Sequence, residues 1–374
     1  MTPSEENWLA LALVKGVGQK IVHALLWKFK DATGILDASP KQLTGIRGIS
    51  PEIASRIGNA RTGQAFEIEK RLVEQHGIRL IPLDAEDYPP RLKETDVPPV
   101  LLYCKGELPR EQATHLAVVG TRRSSRYGEK AVGRLIEGLA NIDSSLVIVS
   151  GLARGIDTAA HRQALSSGLR TIAVMGRGLA DVYPKENTGL AEEISGQGAL
   201  ISEFPMTMSP RANNFPIRNR IISGLCWGVL VAEAGDKSGA LISAGFALNH
   251  NRELFAVPGN IDLPSFEGSN RLIQSGQAKL VRDAEDILEE LSNFQRAAPR
   301  KLGSSPAKKW RLAGEFPPDG DKARVMEILE RGALHPDELS QESKLPMEKL
   351  LGLLLELELA GEVYQTMDNE YAIS

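Results

Sequence analysis

Three arginines follow directly on a buried-strand pattern in the stretch AVVGTRRSSRYGEKA, residues 117–131. They are Arg122, Arg123 and Arg126, which come within seven positions of Gly120. A strand that ends in glycine and opens a helix is typical of a phosphate site, because helix N-termini attract anions. Three arginines carry more positive charge than one nucleotide needs. The stretch therefore predicts a site for a polyanion.

The other predicted parallel strands also end in loops that carry cations. The carboxyl ends of parallel strands meet at one edge of a sheet, where ligands of open α/β folds bind. A single arginine at such a place is often a surface or capping residue, but cations from five loops on one edge favour an anion site. The candidate binding residues are Gly120, Thr121, Arg122, Ser150, Gly151, Arg154, Lys185, Arg211, Phe215, Arg218, Arg220 and Lys237.

Two aromatic residues lie close to the cations of the fourth loop. Unstacked bases of a single strand lie on aromatic rings while the backbone follows a positive groove. We expect Phe204, next to the strand, to belong to the core, and Phe215, between two asparagines and a proline, to be exposed. This pattern favours a single strand of nucleic acid as the polyanion.

The loops carry no recognisable catalytic or cofactor motif. Gly120 is followed by TRRSSRYG, which is not a dinucleotide fingerprint, and the sequence has no Walker, His-Glu-x-x-His or Cys-x-x-Cys motif. Ser150 does not stand in a nucleophile elbow. His161 lies four residues after Asp157, where a hydrogen bond on a helix face is favoured over a proton relay. The sequence predicts no enzyme activity, no cofactor and no metal site.

These loops connect apolar runs that alternate with helical patterns. The runs are β-rich and hardly alternate in polarity, which is typical of parallel strands buried on both faces. Repeated βα units predict an extended, Rossmann-like, doubly wound and mostly parallel sheet. The predicted strands lie in 77–83, 98–106, 116–120, 145–151, 170–176, 199–204, 228–235 and 253–259.

Four segments are predicted along the chain. Residues 1–75 form two helix pairs around glycine hairpins and resemble a helix-hairpin-helix or SAM-like domain. Its hairpins could meet a DNA phosphate, or the domain could serve only to pack, and the sequence leaves both open. Residues 76–294 are the Rossmann-like domain, 295–318 a flexible basic linker and 319–374 a winged helix.

Charge is distributed unevenly over the chain, whose net charge is −4. Residues 319–374 hold 5 Lys and Arg against 13 Asp and Glu, whereas the remainder holds 39 against 35. Glu348, Glu356 and Glu358 in the predicted recognition helix would repel phosphates. We therefore expect the winged helix to contact protein rather than DNA.

Composition is that of an ordinary globular protein, with 42% hydrophobic and 25% charged residues. No apolar run approaches the roughly 18 residues of a membrane span, and no signal peptide is visible. Cys104 and Cys226 lie outside any metal-binding spacing. These features predict a cytoplasmic protein with reduced thiols and no membrane partner.

Seven segments resemble the bacterial DNA-processing protein A family, also called Smf, in consistent order across 77–291. They are VVGTRRSSRYG, SGLARGIDTAAHRQAL, AVMGRGLADVYPKEN, LISEFP, NFPIRNRIISGL, VAEAGDKSGALISAGFAL and FAVPGN. The resemblance implies a non-enzymatic single-stranded DNA binder that protects incoming DNA in natural transformation. It also implies a homodimer that loads RecA recombinase, including onto strands coated by single-stranded-DNA-binding protein.

The resemblance places the family's Gly-Ser/Thr-Arg motif on Gly120, Thr121 and Arg122. It places later basic and aromatic positions on Arg211, Phe215, Arg218 and Arg220.

Two other functions remain open at this point. Related Rossmann-like hydrolases act on nucleoside monophosphates and usually carry Pro-Gly-Gly-x-Gly-Thr after the equivalent strand. This chain has Glu233-Ala-Gly-Asp-Lys-Ser-Gly there, which removes much of the glycine cradle. The other alternative is a scaffold in which the acidic winged helix is the working module.

Overall fold

A computed structural model gives the fold of this chain and divides it into two compact units, Met1–Arg300 and Lys301–Ser374. The structure describes residues 1–109, 113–297, 321–329 and 334–345, together with 350, 354, 357, 363–365 and 371–373. Of the predicted linker, 298–318 lies outside these residues, as do the glutamates of the predicted recognition helix. Residues 295–297, which we assigned to the linker, are helical.

The first unit begins with six short helices that form two related hairpins. A Cβ on Gly16, with φ 90°, would lie 3.5 Å from Ile53 of the second hairpin, and a Cβ on Gly48, with φ 89°, would lie 3.7 Å from Ile21 of the first. Both turns need the left-handed backbone region that glycine enters without strain. The helices are α1 (Pro3–Ala12), α2 (Gln19–Phe29), α3 (Ala32–Leu36), α4 (Pro40–Thr44), α5 (Pro51–Gly58) and α6 (Gln64–Gln75).

A mixed sheet of nine strands forms the centre of the first unit, in the order β1-β2-β6-β5-β4-β3-β7-β8-β9. The strands from β6 to β9 in that order are parallel, and β1 and β2 are added antiparallel at one edge. The strands are β1 (Arg79–Pro82), β2 (Leu101–Gly106), β3 (His115–Gly120), β4 (Val147–Ser150), β5 (Arg170–Val174), β6 (Ala199–Ser202), β7 (Gly228–Glu233), β8 (Glu253–Ala256) and β9 (Lys279–Leu280).

The prediction of a doubly wound, mostly parallel sheet is confirmed. Consecutive residues of β3 enter different cores, since Leu116 packs with α8, α9 and α14, and Ala117 packs with α11, α12 and α13. Burial on both faces explains why the strands read as continuous apolar runs. The remaining helices of this unit are α7 (Pro90–Lys93), α8 (Arg126–Ile142), α9 (Ile156–Ser166), α10 (Thr188–Gln197), α11 (Asn214–Gly224), α12 (Ala240–Asn249), α13 (Glu267–Gln274) and α14 (Ala284–Ala297).

The six N-terminal helices share a core with the antiparallel edge of the sheet. The buried Glu69 of α6 accepts a hydrogen bond from the Met206 amide, with an N–O distance of 2.6 Å. The Gln19 side chain of α2 accepts from the Val100 amide at 3.1 Å. These contacts hold the helices against the segments that flank β2 and follow β6.

The second unit has its own apolar core, in which Val325 of α15, Leu339 of α16 and Val363 of β10 are buried. Its described elements are α15 (Asp321–Leu329), α16 (Pro336–Ser343) and the antiparallel strands β10 (Val363–Gln365) and β11 (Tyr371–Ile373). They fit the predicted winged helix, whose turn at 368–369 lies outside the described residues.

The part of the chain that the structure describes contains no helix that is both long and apolar enough to cross a membrane. Within the same residues, no group of three or more metal-ligating side chains is close enough to hold an ion.

Candidate nucleic-acid interface

A groove lies over the carboxyl ends of β3, β4 and β5. Its cationic side chains are Arg122, Arg154 and Arg177, and Tyr183 and Phe215 supply its aromatic rings. We call it the arginine groove; its remaining lining residues are Gly151, Ala153, Gly176 and Pro184. Residues from four of the five loops that we predicted from the sequence to converge therefore meet in one site.

A cation and two rings form the centre of the arginine groove. The guanidinium carbon of Arg122 lies 4.9 Å from the Phe215 ring centroid, within the range of cation–π attraction. The Tyr183 and Phe215 ring centroids are 6.4 Å apart. A Cβ on Gly176 would lie 2.9 Å from the Phe215 ring, so only glycine lets that ring seat against the end of β5. The arrangement offers aromatic surface and positive charge side by side.

Side chains from α9 hold the loop after β4 in a fixed shape. Asp157 Oδ2 accepts hydrogen bonds from the amides of Gly151 at 3.2 Å and Ala153 at 3.3 Å. Thr158 donates to the Ala153 carbonyl at 2.6 Å. Burial raises the pKa of Asp157, while the positive charge of Arg218 and the two amides act in the opposite direction. The loop that presents Arg154 is therefore rigidly supported from below.

Arg218 lies beneath the floor of the arginine groove. Its side chain is buried, and Nη1 donates to the Val174 carbonyl at 2.6 Å. The guanidinium packs on Gly151 so closely that a Cβ there would overlap it. Desolvation lowers the pKa of Arg218 to about 10, so the group stays charged at neutral pH. We assign Arg218 a supporting place rather than the direct contact that we predicted from the sequence.

Two further predicted contacts are also turned inward. Ser150 is completely buried, and its hydroxyl donates to the Val118 carbonyl at 2.6 Å. Arg220 forms an ion pair with the buried Glu203 and donates to the Val97 carbonyl at 2.8 Å. Neither side chain presents a polar group to the arginine groove in this conformation.

The rest of the predicted set is exposed or structural. Lys185, Arg211 and Lys237 are exposed but do not line the arginine groove. Gly120 packs on α9, since a Cβ there would lie 2.5 Å from Ile156 Cγ1. Thr121 fixes the loop, because its amide donates to the Glu233 carbonyl at 2.7 Å and its hydroxyl accepts from the Arg123 amide at 3.2 Å. Phe215 is half-buried, as is Phe204 at the end of β6.

The pair Asp157 and His161 does not form a relay. His161 is fully buried, and its Nδ1 lies 2.7 Å from Thr171 Oγ1 of β5 instead of contacting Asp157. Thr171 donates to the Ile148 carbonyl, so it accepts from an Nδ1–H of His161. Burial lowers the pKa of His161 to about 3, which keeps the ring neutral. We predicted that His161 would form a hydrogen bond with Asp157 on the helix face. This prediction is wrong, because His161 bonds to Thr171 of β5 instead.

Five lining residues of the arginine groove were not among the predicted contacts, and two of them supply a cation and a ring. Arg177 and Tyr183 both follow β5, in the loop that we represented only by Lys185. The sequence feature that could have identified both residues is an aromatic residue and a cation in the same loop after a strand. The same feature led us to select Phe215. The sequence could not show that this loop bends back over Gly176.

Arg154 is held by a carboxylate at the rim of the arginine groove. Its Nε and Nη2 atoms donate to the two carboxylate oxygens of Glu186, the second at 3.1 Å. This hydrogen bond raises the pKa of Arg154 and lowers that of Glu186. A phosphate that binds the Nε edge of Arg154 has to displace this carboxylate, and a phosphate at the Nη1 edge binds close to its negative charge.

We therefore expect Glu186→Gln to increase affinity for a DNA phosphate backbone by up to about fivefold, since an exposed ion pair holds its partner only weakly. Fluorescence anisotropy of labelled oligo-dT at low salt measures the effect. Glu193→Gln is the control, because it removes the same charge from an exposed position without breaking an ion pair to a described residue. An equal gain in both variants would show that only net charge matters.

Three family models match the chain. "DNA recombination-mediator protein A" matches residues 79–292, the DprA winged helix domain matches 312–369 and a SAM-like helix-hairpin-helix tandem matches 9–59. Protein Smf of Escherichia coli is 38% identical over 373 residues, which are 95% of this chain and 92% of that protein.

Similar solved structures include two of DNA processing protein A. The X-ray structure of DNA processing protein A from Streptococcus pneumoniae has a TM-score of 0.67 at 36% identity, covering 78% of this chain and 98% of that one. A structure describing the single-stranded DNA binding mode of DNA processing protein A from Helicobacter pylori has a TM-score of 0.51 at 29% identity, covering 58% and 98%.

Proposed function

The chain belongs to the DNA recombination-mediator protein A family, and from that premise we propose that it binds single-stranded DNA in the arginine groove. The placement of Arg122 against the Phe215 ring is the observation that carries the proposal. It offers one nucleotide a ring for its base and a cation for its phosphate. A duplex keeps its bases stacked inside, so it can use only the cations.

The other cations extend this contact along a strand. Arg154 and Arg177 line the same groove, and Lys185 stands exposed directly after Pro184 of the groove wall. Arg177 is paired with Asp181 at 3.0 Å, so phosphates have to compete with carboxylates at two of the three groove arginines. Arg122 is the residue to which we assign the main phosphate contact.

The proposed role is that of a recombination mediator without enzymatic activity. In this role the protein protects incoming single strands in natural transformation and loads RecA recombinase onto them, including strands coated by single-stranded-DNA-binding protein. Family membership supports these partners. A cytoplasmic location accords with the two buried free thiols, Cys104 and Cys226.

A homodimer is also proposed, formed through the Rossmann-like domain. Ile242 and Leu248 of α12 and Leu280 of β9 leave 42%, 39% and 39% of their surfaces exposed. Exposed large apolar side chains on these elements support a protein contact through the last strands and helices of the domain. These elements carry none of the groove arginines, so a dimer through them leaves the proposed DNA site open.

Titration with single-stranded and double-stranded DNA of equal length, at two salt concentrations, tests the proposed function. We expect the single strand to bind more tightly, because only it can stack a base on Phe215. A plot of the logarithm of its association constant against the logarithm of the salt concentration should have a slope of about −0.7 for each phosphate bound. Equal affinity for the duplex, or an affinity that salt does not change, would contradict the proposal.

A further inference from the structure

The sheet has an anion site that the arginine groove does not use. Strands β3 and β7 are neighbours, and the chain leaves β3 toward β4 but leaves β7 toward β8, so the winding reverses between them. Doubly wound folds commonly bind nucleotides at this switch point, with a phosphate at the N-terminus of the following helix. Here that helix is α8, which has 17 residues and begins after Ser125.

A carboxylate of the chain itself occupies this position. Glu233, the last residue of β7, is completely buried. Its Oε2 accepts from both the amide and the hydroxyl of Ser125, each at 2.9 Å. Ser125 in turn caps α8, because its hydroxyl accepts from the Gly128 amide at 3.0 Å. The anion expected at a helix N-terminus is thus supplied internally.

The space around the carboxylate is filled. A Cβ on Gly128 would overlap Glu233 Oε2, so α8 can approach this closely only because residue 128 is glycine. The other oxygen, Oε1, is buried and has no hydrogen-bond partner among the described residues. An incoming phosphate would meet both a lack of room and a negative charge in a water-poor surrounding, where like charges repel strongly.

The outer side of the switch point is closed as well. The Tyr127 ring meets the buried Phe266 ring edge to face at a centroid distance of 5.5 Å, and the Tyr127 hydroxyl donates to the Pro258 carbonyl at 2.9 Å. A Cβ on Gly268 would lie 2.7 Å from the Gly235 carbonyl oxygen, so the start of α13 lies directly on the backbone after β7. These contacts fill this side of the switch point with packed rings and backbone.

We propose that the Glu233 side chain acts as an internal anion that closes the switch point to free nucleotides and inorganic phosphate. Phosphate recognition is thereby restricted to the arginine groove, where the chain of phosphates in a nucleic acid can bind. Glu233 is in this sense a specificity-determining residue. The inference rests on the proposed function for the identity of the groove ligand, but not for the exclusion of mononucleotides.

Chemical rescue tests the assignment. Glu233→Gly removes the internal anion and leaves a vacancy at the N-terminus of α8. We expect its melting temperature to fall by about 5 °C or more, because two hydrogen bonds to a charged acceptor are lost. Adding inorganic phosphate or acetate should restore most of that loss, and either anion should raise the wild-type melting temperature by much less at matched ionic strength. A variant that melts like wild type, or one that neither anion restores, would overturn the assignment.

Glu233→Gln covers the case in which the glycine variant does not fold. It keeps the shape of the side chain but not its charge, so we expect a lower melting temperature without rescue by phosphate, since the vacancy is absent. A glutamine variant as stable as wild type would refute a role for the charge. Oligo-dT binding by the wild-type chain is measured in parallel. If the wild type does not bind oligo-dT, the proposed function is wrong, and the rescue experiment still tests the role of Glu233.

Discussion

Arg122→Ala is expected to weaken binding of single-stranded DNA by about tenfold to a hundredfold, the cost of one hydrogen-bonded contact to a charged group. The slope of logarithmic affinity against logarithmic salt should become shallower by about 0.7 to 1, because one fewer phosphate is neutralised. Arg122 is exposed on the loop after β3, so its removal takes no support from the core. Anisotropy titrations of labelled oligo-dT over a salt series give both quantities.

Two variants separate the contributions within this contact. Phe215→Leu removes the ring but no charge, so it should lower affinity by the roughly 1–3 kcal/mol of one stacked base and leave the salt slope unchanged. Arg134→Ala removes an exposed arginine of α8 that lies outside the arginine groove, and it should change neither quantity appreciably. An Arg122→Ala variant that behaves like Arg134→Ala would place the DNA elsewhere.

Arg218→Met is expected to lower the free energy of unfolding by about 1–3 kcal/mol, the usual cost of leaving a buried hydrogen-bonding group without its partner. The substitution leaves the Val174 carbonyl without its donor and the buried Asp157 without the nearby positive charge. Urea unfolding followed by tryptophan fluorescence measures the change. DNA affinity should fall with it, because the guanidinium supports Gly151 at the groove floor.

A double substitution and a surface control show whether burial is the cause. Combining Arg218→Met with Asp157→Asn removes both charges, and its cost should be smaller than the sum of the two single costs. Arg134→Met makes the same chemical change on the exposed face of α8 and should stay within about 0.5 kcal/mol of wild type. Additive costs for the double variant would mean that the two buried groups do not interact.

The β-structure was predictable from the chain because nearly every strand residue is buried. Runs such as those that became β3 and β7 have no polar face, and only a sheet covered on both sides can bury them. The ninth strand was missed, since β9 has two residues and carries no pattern. Convergence of the loops at one edge followed from parallel pairing alone.

Which members of each loop face the groove could not be predicted in the same way. Phe215 and Arg220 both belong to α11, five residues apart, so they point to different sides of a helix with 3.6 residues per turn. Phe215 reaches Arg122, whereas Arg220 reaches Glu203 and the Val97 carbonyl. The five-residue spacing shows that the two side chains point in different directions. Only the packing of α11 determines which of them faces the arginine groove.

The sequence by itself determined the family, the doubly wound sheet and an edge rich in cations. Residue type and order suffice for these, because burial and parallel pairing follow from local pattern. Only the tertiary structure decided that Arg122 stays at the surface while Arg218 supports the floor, and that Glu233 fills the switch point. These outcomes depend on which buried charged side chain forms a hydrogen bond or ion pair inside the protein. The partners are distant in sequence, as Ser125 is from Glu233.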